Sequence, residues 1–264
     1  MKDLIGQTAI VSGGMGDIGG AVGRELAGRG ADVALSDLHR PEQAEEALAK
    51  LTELGVGARY DQVDVADSKQ VEAWVEAVNG EWGRPPSLII PNAATVTASS
   101  IGEITAEQWQ KEININLHGA FYMAQAAGRR LVAEGRPGRI VFIGSWAAHA
   151  PHPAIPAYSV AKAGLRMLCQ CLALEWAPHG ILVNEVAPGY VDAGLSGKMF
   201  RQEPGRRERA QGRVPTGELI TPEEVAAQVA HLCDPRNRHM TGTVLVMDGG
   251  LSLVGPATGQ KEPR

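Results

Sequence analysis

Cysteine is scarce in this chain of 264 residues, which contains only three. Cys169, Cys171 and Cys233 form neither a CxxC pair nor the spacing of zinc ligands, so we expect no metal site and no disulfide framework. Long apolar runs are also missing, because no segment approaches the length of a membrane-spanning helix. The first residues reach a glycine-rich turn before a signal peptide could be completed. We therefore expect a cytoplasmic protein with no membrane partner.

Charge of either sign is not in excess. The chain carries 25 Lys and Arg against 30 Asp and Glu, which gives a formal net charge of −5 and a sequence pI near 5.8. This balance does not support a general electrostatic attraction to nucleic acid. No polar linker divides the chain, so we expect a single domain over residues 1–252. The composition of residues 253–264 predicts a disordered tail.

Short apolar runs alternate with amphipathic segments along the chain. The runs predict strands at 8–11, 32–36, 87–90, 139–143, 181–186 and 243–247. The amphipathic segments predict helices at 18–29, 41–54, 68–82, 106–134, 156–177 and 222–233. Such alternation indicates βαβ units, so the fold class is α/β, a doubly wound Rossmann fold with a parallel sheet of about seven strands flanked by helices. Residues 194–216, rich in charge and glycine, are expected to be irregular.

A glycine-rich turn, IVSGGMGDIGG at residues 10–20, follows the first predicted strand and precedes the first helix. Glycine permits positive φ and close approach of a ligand, while a helix N-terminus attracts phosphate. Gly14, Gly16 and Gly19 spell the dinucleotide fingerprint GxGxxG. A second register consists of Ser12, Gly13 and Gly19, with Asp17 where a glycine could stand. Both registers predict binding of a dinucleotide.

Asp37 ends the second predicted strand, about 20 residues after the glycines. An acidic residue at this place in a doubly wound fold bonds the adenosine ribose. Its carboxylate would repel a 2′-phosphate, so the sequence favours NAD over NADP as the cofactor. Arg40 is the complication, because a nearby arginine could accept that phosphate.

Tyr158 and Lys162 lie one helical turn apart in a helix that begins near Pro156. Residues at i and i+4 share a helix face, so the phenol and the ammonium point into the same space. A tyrosine titrates near 10 in water, and a neighbouring cation lowers its pKa. Tyr158 is therefore a candidate proton acceptor.

With Ser145 after the strand RIVFI, Asn116 in NINLHGAF and the turn APGYV at 187–191, the chain resembles the short-chain dehydrogenase/reductase family over nearly its whole length. The resemblance implies that Ser145 bonds the reacting oxygen and Tyr158 exchanges its proton. It also implies that Lys162 holds the nicotinamide ribose and that Asn116 keeps a water in a proton relay.

The same resemblance implies a set of cofactor-binding residues. They are Ser12, Gly13, Asp17, Ile18, Gly19, Asp37, Asp64, Val65, Asn92, Tyr158, Lys162, Pro188, Gly189 and Val191. Three departures from the family pattern stand out, namely Asp17, Ala94 and Ala193. We expect Asp17 to cap the first helix, which would offset its repulsion of the pyrophosphate.

Substrate selectivity in this family resides in two loops, and the candidate pocket residues here are Trp146, His149, His152, Ile155 and Tyr190. The two histidines have no acidic or cysteine companion at a metal-binding spacing, so we expect no metal. Basic residues outnumber acidic ones between Lys198 and Arg213, which indicates either a solvated helical face or a lid for an anionic substrate.

Three functions remain open on the sequence. The first is an NAD-dependent dehydrogenase of a secondary alcohol, such as a sugar, polyol or cyclic alcohol. The second is an NADPH-dependent 3-oxoacyl-thioester reductase, and the third is a catalytically silent dinucleotide-binding regulator. The long apolar helices at 106–134 and 156–177 resemble the pair through which family members form homotetramers, so we expect a homotetramer.

Overall fold

Seven parallel strands form one sheet in the computed structural model, which describes residues 2–152 and 154–254. Their order across the sheet is β3-β2-β1-β4-β5-β6-β7. The strands are β1 Thr8–Ser12, β2 Asp32–Asp37, β3 Ala58–Gln62, β4 Leu88–Ile90, β5 Gly138–Ile143, β6 Ile181–Pro188 and β7 Val244–Met247. The chain order reverses between β1 and β4, and ligands of such sheets bind at this point, beyond the carboxyl ends of the strands.

Helices cover both faces of the sheet. Their bounds are α1 Asp17–Gly28, α2 Glu45–Thr52, α3 Ser68–Trp82, α4 Ala106–Ile113, α5 Ala120–Ala133, α6 Pro156–Trp176, α7 Gly194–Gln202, α8 Arg206–Arg213 and α9 Pro222–Cys233. Side-chain caps explain several starts, because Asp67, Thr105 and Thr221 each accept a backbone N–H of the following first turn. The parallel α/β fold predicted from the sequence is confirmed.

Each face of the sheet has its own hydrophobic core. One core packs Val22 and Leu26 of α1 against Val229 of α9 and the adjoining strands. The other packs α3, α5 and α6 on the opposite face, with Met123 and Leu165 fully enclosed. Strands buried on both faces read as continuous apolar runs, which explains why β1, β4 and β5 were evident in the sequence.

The structure departs from the sequence-based expectations at three places. Strand β3 was not predicted, because this edge strand alternates polar side chains and is only half-buried. The segment 194–216 was expected to be irregular, and that prediction is wrong, since it forms α7 and α8. The long helix predicted over 106–134 is divided by a π-helical segment, Asn114–Gly119.

Two further expectations concern the C-terminal tail and membrane-spanning helices. Residues 255–264, most of the predicted tail 253–264, lie outside the described residues. Within the described residues, none of the helices combines the length and the apolar character that crossing a bilayer requires.

Candidate active site

Three glycines of the turn after β1, Gly13, Gly14 and Gly19, leave no room for a side chain. Gly13 has φ +66°, and a Cβ there would lie 2.9 Å from the Cα of Ala93. A Cβ on Gly19 would overlap the carbonyl oxygen of Gly13. The turn therefore presents bare backbone at the N-terminus of α1, which is the arrangement that accepts a pyrophosphate.

Ser12 and Asn92 fasten the turn to the end of β4. The Ser12 hydroxyl accepts the backbone N–H groups of Asn92 and Ala93, both at 3.1 Å. The Asn92 amide in turn donates to the carbonyl oxygens of Ser12 at 2.9 Å and Gly13 at 3.2 Å. Asn92 lines the cavity described below, whereas Ser12 lies behind it and holds the loop.

Asp17 does not cap α1, so the capping expectation is corrected. The residue at the N-cap is Gly16, without a side-chain cap, and Asp17 is already the first residue of the helix. Its Oδ2 instead accepts the backbone N–H of Gly194 at 2.7 Å. A side chain at this position can reach across to a neighbouring segment. Asp17 thereby links the cofactor turn to the start of α7.

Asp37, at the end of β2, lies beside the glycine turn and lines the same cavity. Its Oδ1 accepts the N–H of Leu38 at 2.7 Å and lies 3.0 Å from Nδ1 of His39. Its Oδ2 accepts the N–H of Met15 at 3.2 Å. The cavity wall here includes Asp37, Leu38 and His39, and Arg40 does not contribute to it.

Ser145, Tyr158 and Lys162 converge beyond the end of β5. Lys162 is buried, and its Nζ donates to the carbonyl oxygen of Ile143 at 2.7 Å. The same Nζ lies 5.6 Å from the centre of the Tyr158 ring. The Ser145 hydroxyl accepts the N–H of Ala147 at 3.1 Å, which fixes its direction. All three side chains border the cavity.

Burial opposes charge on both members of the tyrosine–lysine pair. Desolvation raises the pKa of Tyr158 to about 12, a hydrogen bond with Ser145 lowers it, and the carboxylate of Glu112 raises it. Desolvation lowers the pKa of Lys162 to about 8, which the carboxylate of Glu185 partly opposes. A phenolate at neutral pH therefore needs further positive charge nearby, as an oxidised nicotinamide would supply.

Asn116 lies within the π-helical segment and is almost completely buried. Its Oδ1 accepts the N–H of Thr95 and its Nδ2 donates to the carbonyl oxygen of Thr95, both at 2.8 Å. One turn earlier, the buried Glu112 accepts the N–H of Thr97 at 2.6 Å. The two side chains thus fix the irregular segment that follows Asn92. The relay role of Asn116 stays a prediction.

A single cavity of about 630 Å³ joins these groups. Of the predicted cofactor residues, its wall includes Gly13, Asp17, Ile18, Gly19, Asp37, Asp64, Val65, Asn92, Tyr158, Lys162, Pro188, Gly189 and Val191. The glycine turn and Asp37 follow β1 and β2, whereas the Tyr158–Lys162 pair lies beyond β5, so the cavity crosses the strand ends and fits an extended dinucleotide. Sequence reasoning missed Lys111, Ile115, Leu195 and Met199 on the wall, because no motif marks them.

Aromatic rings form the wall near Ser145. Trp146 meets Tyr190 edge-on with ring centres 5.5 Å apart, and His152 edge-on at 6.1 Å. Phe200 of α7 continues this group at 6.3 Å from Tyr190. Ile155 also lines the cavity, whereas His149 does not. In the described ranges 2–152 and 154–254, no three His, Cys, Asp or Glu side chains are grouped to hold a metal ion.

Known proteins share this sequence pattern and this architecture. A family model described as enoyl-(acyl carrier protein) reductase matches residues 13–252. The 3beta-hydroxysteroid dehydrogenase 1 of Eggerthella lenta is 32% identical over 251 residues, which is 95% of each chain. The chain belongs to the short-chain dehydrogenase/reductase family.

Other members of the short-chain dehydrogenase/reductase family act on different alcohols. The L-rhamnose 1-dehydrogenase (NAD(P)(+)) of a Sphingomonas species is 31% identical over 95% of this chain and 98% of its own. A solved structure from Agrobacterium tumefaciens with bound NADP, provisionally assigned as a 2-deoxy-D-gluconate 3-dehydrogenase, is 28% identical. It superposes with a TM-score of 0.86 over 96% of this chain and 99% of that one. The chain is thus an oxidoreductase of CH–OH groups.

Proposed function

We propose that this short-chain dehydrogenase/reductase transfers hydride between NAD(H) and a secondary alcohol or ketone, with Tyr158 as proton acceptor and donor. One observation carries the proposal: Ser145, Tyr158 and Lys162 line the same cavity as Asp37 and the glycine turn. The ring-to-ammonium distance of 5.6 Å supports joint action of the tyrosine and lysine.

Each residue has a defined task in alcohol oxidation. The bound nicotinamide supplies the hydride acceptor. The Ser145 hydroxyl orients the alcohol oxygen, and Tyr158 takes the hydroxyl proton as the carbonyl forms. The Lys162 ammonium stabilises the phenolate and is kept in place by the carbonyl oxygen of Ile143. Asn116 keeps the segment after Asn92 closed over the site.

Asp37 supports NAD rather than NADP as the cofactor. Its two oxygens already accept two backbone N–H groups, so the carboxylate is fixed at the cavity wall. A fixed negative charge repels a 2′-phosphate and accepts the ribose hydroxyls. Since a structural neighbour contains NADP, the comparison of the two cofactors is itself a necessary measurement.

The proposal includes a homotetramer in the cytoplasm. On α6, Val160, Met167 and Leu174 recur every seven residues and are 50%, 59% and 82% exposed. A stripe of this kind on one helix face favours contact with a second copy. The three cysteines are free, which suits a reducing compartment. Light scattering of wild type and of Leu174→Glu tests the assembly, and a wild-type monomer would contradict it.

The activity test follows NADH absorbance with purified protein, NAD⁺ and a panel of sugars, polyols and cyclic alcohols. We expect turnover of at least one alcohol and a loss of about 10³-fold or more in kcat for Tyr158→Phe, since general acid–base catalysis contributes on this scale. A second assay, with NADPH and a 3-oxoacyl thioester, tests the alternative reductase function. Binding of NADH without any turnover would instead favour a silent regulator.

A further inference from the structure

A buried ion pair lies directly behind the catalytic residues. Arg166 of α6 donates Nη2 to Oε1 of Glu185 at 2.8 Å and Nε to Oε2 at 3.1 Å. The Glu185 side chain, in the middle of β6, is 0% exposed, and that of Arg166 is 15% exposed. The pair is bidentate and joins α6 to β6, a strand whose other residues are apolar apart from Asn184.

The pair touches the backbone that carries the catalytic groups. A Cβ on Gly144 would overlap Oε1 of Glu185, so the carboxylate rests against the Gly144 backbone. Nη2 of Arg166 lies 3.5 Å from the carbonyl oxygen of Ser145. Immediately before them, Ile143 supplies the carbonyl oxygen that holds Lys162. One ion pair thus borders the supports of both Ser145 and Lys162.

Stability alone gives little reason for these two charges. Burying an ion pair carries a large desolvation free energy, so apolar residues of similar size commonly give equal or greater stability. Here the carboxylate of Glu185 packs on Gly144, the residue after the Ile143 carbonyl that holds the buried Lys162, and its charge favours the ammonium form of that lysine. An anion behind the lysine favours that ammonium, while the arginine compensates the anion.

We propose that the Arg166–Glu185 pair is a positioning device of the active site, which orients Ser145 and sets the pH at which the Tyr158–Lys162 pair loses its first proton. This inference rests on the proposed function for its catalytic meaning. Neither residue touches the reacting atoms, so both act through Ser145 and Lys162.

Titratable groups on several elements surround the ion pair and affect the pKa values measured here. On α6 they are Tyr158, Lys162 and Cys169, and α4 contributes Glu112. His149 and Asp248 approach from the loops after β5 and β7. Because every variant below keeps these groups, a difference in titration midpoint between variants is caused by the change in the ion pair. The tyrosine and lysine are strongly coupled, so the measured value belongs to the pair.

Two single variants give opposite expectations. Glu185→Gln leaves the Arg166 cation alone, which favours phenolate and disfavours ammonium, so the first proton leaves at a pH lower by about one unit. Arg166→Gln leaves the carboxylate alone and shifts the same step upward, by less than one unit because an unpaired buried carboxyl takes up a proton. Arg166→Lys retains the charges and is the matched control, with the wild-type midpoint.

The readout in cofactor-free protein is the titration of both groups, with the Tyr158 phenolate followed by ultraviolet difference absorbance against Tyr158→Phe and the Lys162 ammonium followed by NMR of labelled lysine against Lys162→Met. The acid limb of kcat for alcohol oxidation, measured beside KM, is expected to move with it. Circular dichroism and thermal unfolding verify that each variant is folded. If a single variant fails to fold, the double variant Arg166→Gln/Glu185→Gln decides, with an expected midpoint between Glu185→Gln and wild type.

Equal midpoints in wild type, the double variant and every folded single variant would overturn the inference, as would shifts of both single variants in one direction. Absence of alcohol oxidation in the wild type would instead contradict the proposed function. The titration of Tyr158 and Lys162 needs no turnover and would still test the effect of the ion pair in that case, so the two failures are distinguishable.

Discussion

The Asp17–Gly194 hydrogen bond predicts two separable effects of replacing Asp17. The carboxylate lies on the glycine turn, where we expect the pyrophosphate to bind, and it also accepts the backbone N–H of the first residue of α7 at 2.7 Å. Asp17→Asn removes the charge and keeps an oxygen that can accept the Gly194 N–H. Asp17→Ala removes both. The pair of variants therefore separates electrostatic repulsion from attachment of α7.

The two effects have comparable sizes and different targets. Two pyrophosphate charges roughly 6 Å from a carboxylate in water are opposed by about 1.4 kcal/mol, so either variant is expected to bind NAD⁺ up to tenfold more tightly at low salt. Screening at physiological ionic strength removes about half of this gain. The exposed bond to Gly194 contributes roughly 1 kcal/mol, so Asp17→Ala alone is expected to raise the KM of the alcohol about fivefold.

Titration of NADH fluorescence at low and high salt measures the first effect, and steady-state kinetics with saturating NAD⁺ measure the second. Weaker binding of NADH to Asp17→Asn would show that the carboxylate does not oppose the pyrophosphate. Identical alcohol KM values for the Asn and Ala variants would show that the link to α7 has no part in closing the substrate side.

Three further results are expected. Gly128→Ala places a Cβ into the Trp176 ring, so urea unfolding is expected to show a loss of about 1–3 kcal/mol with NADH affinity unchanged. Asp37→Ser removes the repulsion of a 2′-phosphate, so the ratio of kcat/KM with NADP⁺ to that with NAD⁺ is expected to rise about tenfold, and a fall would be contrary. Glu112→Gln removes an anion that raises the pKa of Tyr158, so the acid limb of alcohol oxidation is expected to move to lower pH, and an upward move would refute this.

The sequence was most informative where a local rule determines geometry. Tyr158 and Lys162 are one helical turn apart, so their common direction follows from α6 alone. Caps such as Thr221, which bonds the N–H of Glu224 at 3.2 Å, placed helix starts correctly for the same reason. These features depend on neighbours in the chain and needed no knowledge of the fold.

Features that depend on distant contacts were not accessible. α7 has few apolar residues, and its first residue is held by Asp17, 177 positions away. α8 is tied through Arg207 to Asp192. Glu185 interrupts an apolar strand without any local sign of its partner on α6. Polar pairs of this type connect segments that only the folded sheet brings together.

The placement of the site at the strand ends separates two properties of the protein. The residues to which we assign proton transfer, Ser145, Tyr158 and Lys162, are anchored to β5 and α6. The aromatic wall comes instead from Trp146 and His152, which follow β5, and from Tyr190 and Phe200, which follow β6. Mutation can therefore reshape what the pocket admits while the reaction chemistry is inherited unchanged. This division offers a route by which gene duplicates acquire new metabolic roles, and by which exchange of the segments after β5 and β6 could retarget the enzyme.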